Sequence, residues 1–158
     1  MYPFFRMAKD LWRARRAPRI GLFETHVSYH RCWPQDLDIF LEMNNGRILT
    51  ILDLGRTAGA IRSGWMDVLR REGWAMTMAG ASVRYRRRIR LFDKLRVEGR
   101  CVGWDDKFIY MVQTVWVGET CAVQALFRAA VTDRHGLVRA DRFVPAMARG
   151  GAQNSGRV

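Results

Sequence analysis

From Trp74 onward the chain alternates with a period of two, and the pattern persists through turn-forming interruptions as far as Val131. Only β-structure places successive side chains on opposite faces in this way. Val83, Tyr85, Arg87, Ile89 and Leu91 alternate with Arg84, Arg86, Arg88 and Arg90. Leu95, Val97, Gly99, Cys101 and Gly103 alternate with Arg96, Glu98, Arg100, Val102 and Trp104. Asp105-Asp106-Lys107 reads as a hairpin turn into a strand carrying Phe108, Tyr110, Val112, Thr114 and Trp116. Gly118-Glu119 reads as a second, into Cys121, Val123, Ala125, Phe127, Ala129 and Val131. A last turn at His135-Gly136 leads to Leu137–Phe143. Turns this short cannot carry a parallel crossover, so the strands form an antiparallel meander.

The first half of the chain is organised differently. Residues 2–16 read as a basic amphipathic helix, with Phe4, Phe5, Ala8, Leu11 and Trp12 on one side and Arg6, Lys9, Asp10, Arg13 and Arg16 on the other. Its apolar side fits either docking on protein or lying on an anionic membrane. Leu22 to Trp33 reads as a strand, and Pro34, Gln35, Asp36 and Asp38 as a polar turn. Asn44 then opens a helix whose stripe is Ile48, Ile51, Leu52, Gly55, Ala58 and Gly59. Each glycine in such a stripe costs about 1 kcal/mol of helix propensity, which makes sense where a backbone must press closely on a sheet. Ser63 is placed to cap a short second helix, Gly64 to Glu72, ending at Gly73. The fold class is therefore α+β, a curved antiparallel sheet of about five strands wrapped around one central α-helix, with an extra N-terminal helix. The divisions are residues 1–20 for that helix, 21–146 for the domain and 147–158 for a flexible, Gly-rich tail.

The formal net charge is +12, but it gathers at the ends: residues 1–20 carry +5 and residues 139–158 carry +3, leaving +4 for the rest. With no recognition motif beside the charge, no specific nucleic-acid partner is expected. No apolar run reaches the roughly 18–20 residues of a membrane span, and charges interrupt any signal-peptide core near the N-terminus. Cys32, Cys101 and Cys121 are an odd, scattered set that suits a reducing compartment, so a cytoplasmic location is expected. There is no G-x-S-x-G, Walker loop or dinucleotide fingerprint. His26 and His30 share a strand face about 13 Å apart, too far to ligate one ion. Neither a metal nor an organic cofactor is expected.

What remains is a polar run from Trp33 to Arg47. Asp36, Asp38 and Glu42 precede a helix that begins Asn44-Asn45-Gly46. Free backbone N–H groups at a helix N-terminus stabilise negative charge developing on oxygen, and a nearby carboxylate can deprotonate or orient water. Together these are the parts needed for carbonyl hydrolysis. The same residues also fit a plain turn with an ordinary N-cap.

Asp38, followed six positions later by Asn44-Asn45 and then Gly46-Arg47-Ile48-Leu49, resembles the D-x-x-G-H-x-N-N-x-x-Y-L signature of hotdog-fold acyl-CoA thioesterases, the 4-hydroxybenzoyl-CoA thioesterase-like branch in particular. Asp53-Leu54-Gly55-Arg56, Tyr85-Arg86-Arg87 and Gly103-Trp104-Asp105 resemble the same branch, over roughly residues 22 to 145. The resemblance implies a homodimer or tetramer with an acyl-CoA site between subunits. It assigns Asp38 as base or nucleophile and the N–H groups around Asn44, Asn45 and Gly46 as the oxyanion site. Arg84, Arg86 and Arg88 are candidates to meet the CoA phosphates. The family's Gly-His is here Leu41-Glu42; Glu42 is placed at the substrate site and does not inherit the catalytic role of the glutamate that some relatives carry elsewhere in the fold. The alternative is a non-catalytic hotdog protein that binds an acyl thioester or lipid.

Overall fold

The structure, a computed structural model, describes residues 3–152. In chain order its elements are α1 (Phe4–Arg16), β1 (His26–Arg31), a 3-10 turn (Pro34–Asp36), α2 (Asn45–Arg62), α3 (Trp65–Glu72), β2 (Ala75–Tyr85), β3 (Lys94–Trp104), β4 (Phe108–Val117), β5 (Thr120–Asp133), β6 (Gly136–Val138) and α4 (Ala140–Ala152). One antiparallel sheet runs β1-β3-β4-β5-β2, with short β6 added beside β5. The sheet curls around α2 in the hotdog arrangement.

Of the expected stripe, Ile48, Ile51, Leu52, Gly55 and Ala58 are buried and Gly59 is half-buried, while Leu54 and Ala60 outside the stripe are buried as well. A Cβ at Gly55 would stand 3.3 Å from Gln113 Nε2 and 3.4 Å from a Val97 methyl. That spacing is the physical reason for a glycine in mid-helix: the backbone itself is the packing surface. Alternation also places Leu95, Val97 and Cys101 of β3 and Val123, Ala125, Phe127, Ala129 and Val131 of β5 inside. In β4 the buried set is Ile109, Gln113 and Val115, while Phe108, Tyr110 and Trp116 lie half-buried on the outer face. There Arg128 and Arg96 stack over Phe108 and Trp116 at 4.6 and 5.5 Å.

Three local expectations change. The alternation through 83–91 is not one strand, because β2 leaves the ladder at Tyr85, where Ala122 O accepts both Arg86 N and Arg87 N. Helix α3 is capped by Gly64 in the left-handed region (φ 77°) rather than by Ser63. The end of the described chain is helical: α4 buries Phe143, Ala146 and Met147 against Trp65, Val68, Leu69 and Val138. It thereby occupies the start of the expected tail, and only residues 153–158 of that tail lie outside the described ones. Pro145 stands inside α4 and removes one backbone donor, a loss offset by full burial of Phe143.

Candidate active site

Asn44 is the N-cap of α2, and its Oδ1 accepts from Gly46 N at 2.8 Å and Arg47 N at 3.3 Å. Two of the donors at the helix start are therefore occupied by the cap itself. Asn45 is the first residue of α2, where a backbone N–H has no intrahelical acceptor. Beside this helix start lies an open cleft of about 400 Å³ lined by Gln35, Asp36, Leu37, Asn44, Gly46, Arg47 and Thr50.

The loop before the helix is stitched by Asp38. Its Oδ1 accepts from Phe40 N at 2.8 Å and Glu42 N at 3.4 Å, while Asp38 N donates to Glu42 O at 2.8 Å. This closes a tight loop in which Leu41 takes φ 59°. A left-handed conformation costs a branched residue about 1–2 kcal/mol, and Leu41 occupies it at the position where the resembled signature has glycine. Glu42 and Met43 tie the loop to residues 89–90, through a bridge from Glu42 to Arg90 and the bond Met43 N to Ile89 O.

Asp38 is half-buried and is not among the residues lining the cleft. The carboxylate that does line it is Asp36, only 2% exposed. Asp36 is held by Arg6 of α1, by Arg47 of α2 at 3.2 Å and by Trp33 N at 2.8 Å, and its own carbonyl accepts from Asn44 N at 2.8 Å. In the sequence Asp36 reads as a turn acid. Its role rests on Arg6, which lies thirty positions away in the chain, so local pattern carried no sign of it. Among the arginines proposed for phosphates, Arg88 lies 3.1 Å from Glu42 Oε2. Arg86 donates to Gln124, and Arg84 is in β2 across from the same residue. All three are exposed, but only Arg84 belongs to a strand.

A second polar cluster lies under α2. Gln113 donates to Leu52 O at 2.9 Å and accepts from Arg56 at 2.8 Å, and Arg56 lies 4.0 Å over the Phe127 ring. His26 meets Arg62 at 3.0 Å, and burial holds its pKa down at about 4. His30 contacts Ser28 Oγ at 3.1 Å and faces Asp10 at 3.7 Å; burial and then the α1 cations hold its pKa down at about 3. Both rings are neutral at pH 7 and serve packing. Among the described residues no group of His, Cys, Asp and Glu gathers as a metal site.

The sequence profile of the thioesterase-like superfamily matches residues 32–150. Protein THEM6 of Xenopus laevis is 37% identical over 111 residues, covering 70% of this chain and 54% of that protein. The chain thus spans about half the length of the curated relatives it matches. Among solved structures, YbaW, a probable thioesterase from Escherichia coli, superposes with a TM-score of 0.74 at 17% identity, covering 79% of this chain and 97% of that one. A hypothetical thioesterase with coenzyme A from Streptococcus pneumoniae gives 0.59 at 19% identity, covering 74% and 86%. These structural likenesses are of fold.

Proposed function

The chain belongs to the thioesterase-like superfamily, and on that premise we propose that it hydrolyses an acyl-CoA thioester to the free acid and CoA. The observation that carries this reading is the start of α2 opening onto a cleft lined by Asp36, Leu37 and Asn44, with Asp38 next in the chain after Leu37 and outside that lining. In the proposed reaction the substrate carbonyl oxygen points at the first turn of α2, with Asn45 N–H and the positive end of the helix stabilising the oxyanion. Asp38 Oδ1 is engaged by its own loop, so Oδ2 is the atom that takes the proton from an attacking water, or itself attacks the carbonyl carbon. Collapse of the tetrahedral intermediate breaks the C–S bond and releases the CoA thiolate. On the base route the proton held by Asp38 passes to the leaving sulfur; on the nucleophile route a water then hydrolyses the mixed anhydride formed on Asp38 to give the free acid. The coenzyme A in the Streptococcus pneumoniae structure supports CoA as the carrier, and exposed Arg84, Arg86 and Arg88 are the groups proposed to meet its phosphates.

The working unit in this proposal is a homodimer paired through β2. At the β1 end of the sheet Arg6 and Lys9 of α1 take the carbonyls of Arg31 and Tyr29, whereas β2 stands at the other end with most of its residues exposed. An open edge of this length is ordinarily paired or blocked. Ile39, Phe40 and Leu41 are 89%, 74% and 74% exposed beside Asp38, a patch that a second subunit would cover while completing the site. The three free cysteines accord with a cytoplasmic setting.

The test is turnover of a panel of acyl-CoA substrates by wild type and Asp38→Asn. Loss of about a hundredfold or more in kcat with KM little changed is expected; equal rates would remove Asp38 from the mechanism. A second reading, a non-catalytic acyl-thioester binder, draws on Leu41-Glu42 in place of Gly-His and on a cleft acid locked between two arginines. Retained CoA with no turnover by wild type would decide for it.

A further inference from the structure

A surface helix ordinarily turns its apolar stripe to the core; α1 does the reverse. It buries Asp10 and Ala14, and its polar side is occupied with the edge of β1. Lys9 Nζ and Arg6 Nη2 donate to the carbonyls of Tyr29 and Arg31, at 3.4 and 2.9 Å, and Asp10 faces His30. These bonds protect an edge strand and fix the helix rotation. The aromatic residues are consequently left outside: Phe5 is 95% exposed, Phe4 61% and Trp12 54%.

The exposed face has one sign of charge. Arg15 and Arg16 lie on it with Phe5 and Trp12, and the Arg16 guanidinium sits 4.2 Å over the Trp12 ring. Asp10, the sole acid of the helix, points inward. The face continues into a groove lined by Phe5, Tyr29 and Trp33 with Arg31, Lys94 and Arg96, where Glu119 is the one acid.

We propose that this face of α1 binds the surface of an anionic lipid bilayer, the aromatic side chains entering the headgroup–acyl boundary and the arginines meeting lipid phosphates. A second copy of the chain is a poor occupant, because two such faces would bring Arg15 and Arg16 against the same arginines with only Glu119 of the groove to offset them. The α1 face also lies at the opposite end of the sheet from β2, so pairing through β2 leaves it uncovered. The proposal is independent of catalysis.

The experiment is flotation of the full chain with vesicles of phosphatidylcholine alone and with added phosphatidylserine, at low and high salt. The expected result is flotation with the anionic vesicles that weakens as salt rises. Phe5→Ser with Trp12→Ser is expected to lower partitioning by about tenfold or more, and Arg15→Glu with Arg16→Glu to remove the preference for anionic lipid. All four positions are exposed, so melting curves should match wild type and separate lost binding from lost folding. Three results would overturn the proposal: wild type that stays down with anionic vesicles, variants that float as wild type does, or a substitution effect seen only in self-association or in binding a single-stranded oligonucleotide.

Discussion

Asp36→Asn replaces one carboxylate oxygen by an amide in a side chain that is 1% exposed, between arginines that are 11% and 17% exposed. The asparagine still accepts from Trp33 N, so local turn geometry survives. What is lost is the negative charge that Arg6 and Arg47 share, and the new NH₂ faces one of those cations. Removing one partner of a buried ion pair costs about 3–5 kcal/mol. Both arginines keep some access to water and Arg6 keeps its bond to Arg31 O, so the low end applies, about 3 kcal/mol. For a chain of 158 residues that corresponds to a melting-temperature drop of about 6–12 °C. Arg6→Met alone should cost less, since Arg47 still holds the carboxylate, and the double variant should fall short of the sum by about 1 kcal/mol or more. Calorimetry on the four proteins of this cycle measures both quantities. A drop of under about 2 °C for Asp36→Asn, or strict additivity, would show that Asp36 is not the link between α1 and the first turn of α2.

Two further outcomes follow from the same packing. His26 and His30 are neutral in the native state, with pKa values at about 4 and about 3 against an ordinary 6.5, so the unfolded chain takes up protons first as pH falls. Stability should be full above about pH 6.5 and decline toward pH 4, by about 3 kcal/mol for His26 and somewhat more for His30. Asp10, whose carboxyl is pushed up by burial, acts in the opposite sense. Urea unfolding across this range should steepen in that window and flatten in His26→Gln; a flat wild-type profile would contradict the assignment. Leu41→Gly removes the left-handed strain at an exposed position, so stability should hold or rise by up to about 1 kcal/mol after glycine's unfolded-state cost. A loss of more than about 1 kcal/mol in the same assay would mean that Leu41 makes a contact outweighing its strain.

Short-range rules determined much of this molecule before any coordinate. Period-two alternation in Leu95–Cys101 and Val123–Val131 fixed which side chains go inside, because a one-residue slip would turn a whole face to solvent. The small residues at 55, 58 and 59 announced a helix pressed on a sheet, and Asn44 announced its start, since capping is a matter of the two or three residues that follow. What tertiary structure alone decided depends on partners far along the chain. Asp36 becomes a buried hub only because Arg6 reaches it from another helix, and α4 forms through Pro145 because Phe143 finds a place against Trp65 and Val68. The rotation of α1 belongs here as well. Its apolar stripe was plain in the sequence, but which face turns inward depends on distant partners: α2, against which it packs, Asp36, and the β1 carbonyls that take Arg6 and Lys9, with Phe5 and Trp12 left to the outside.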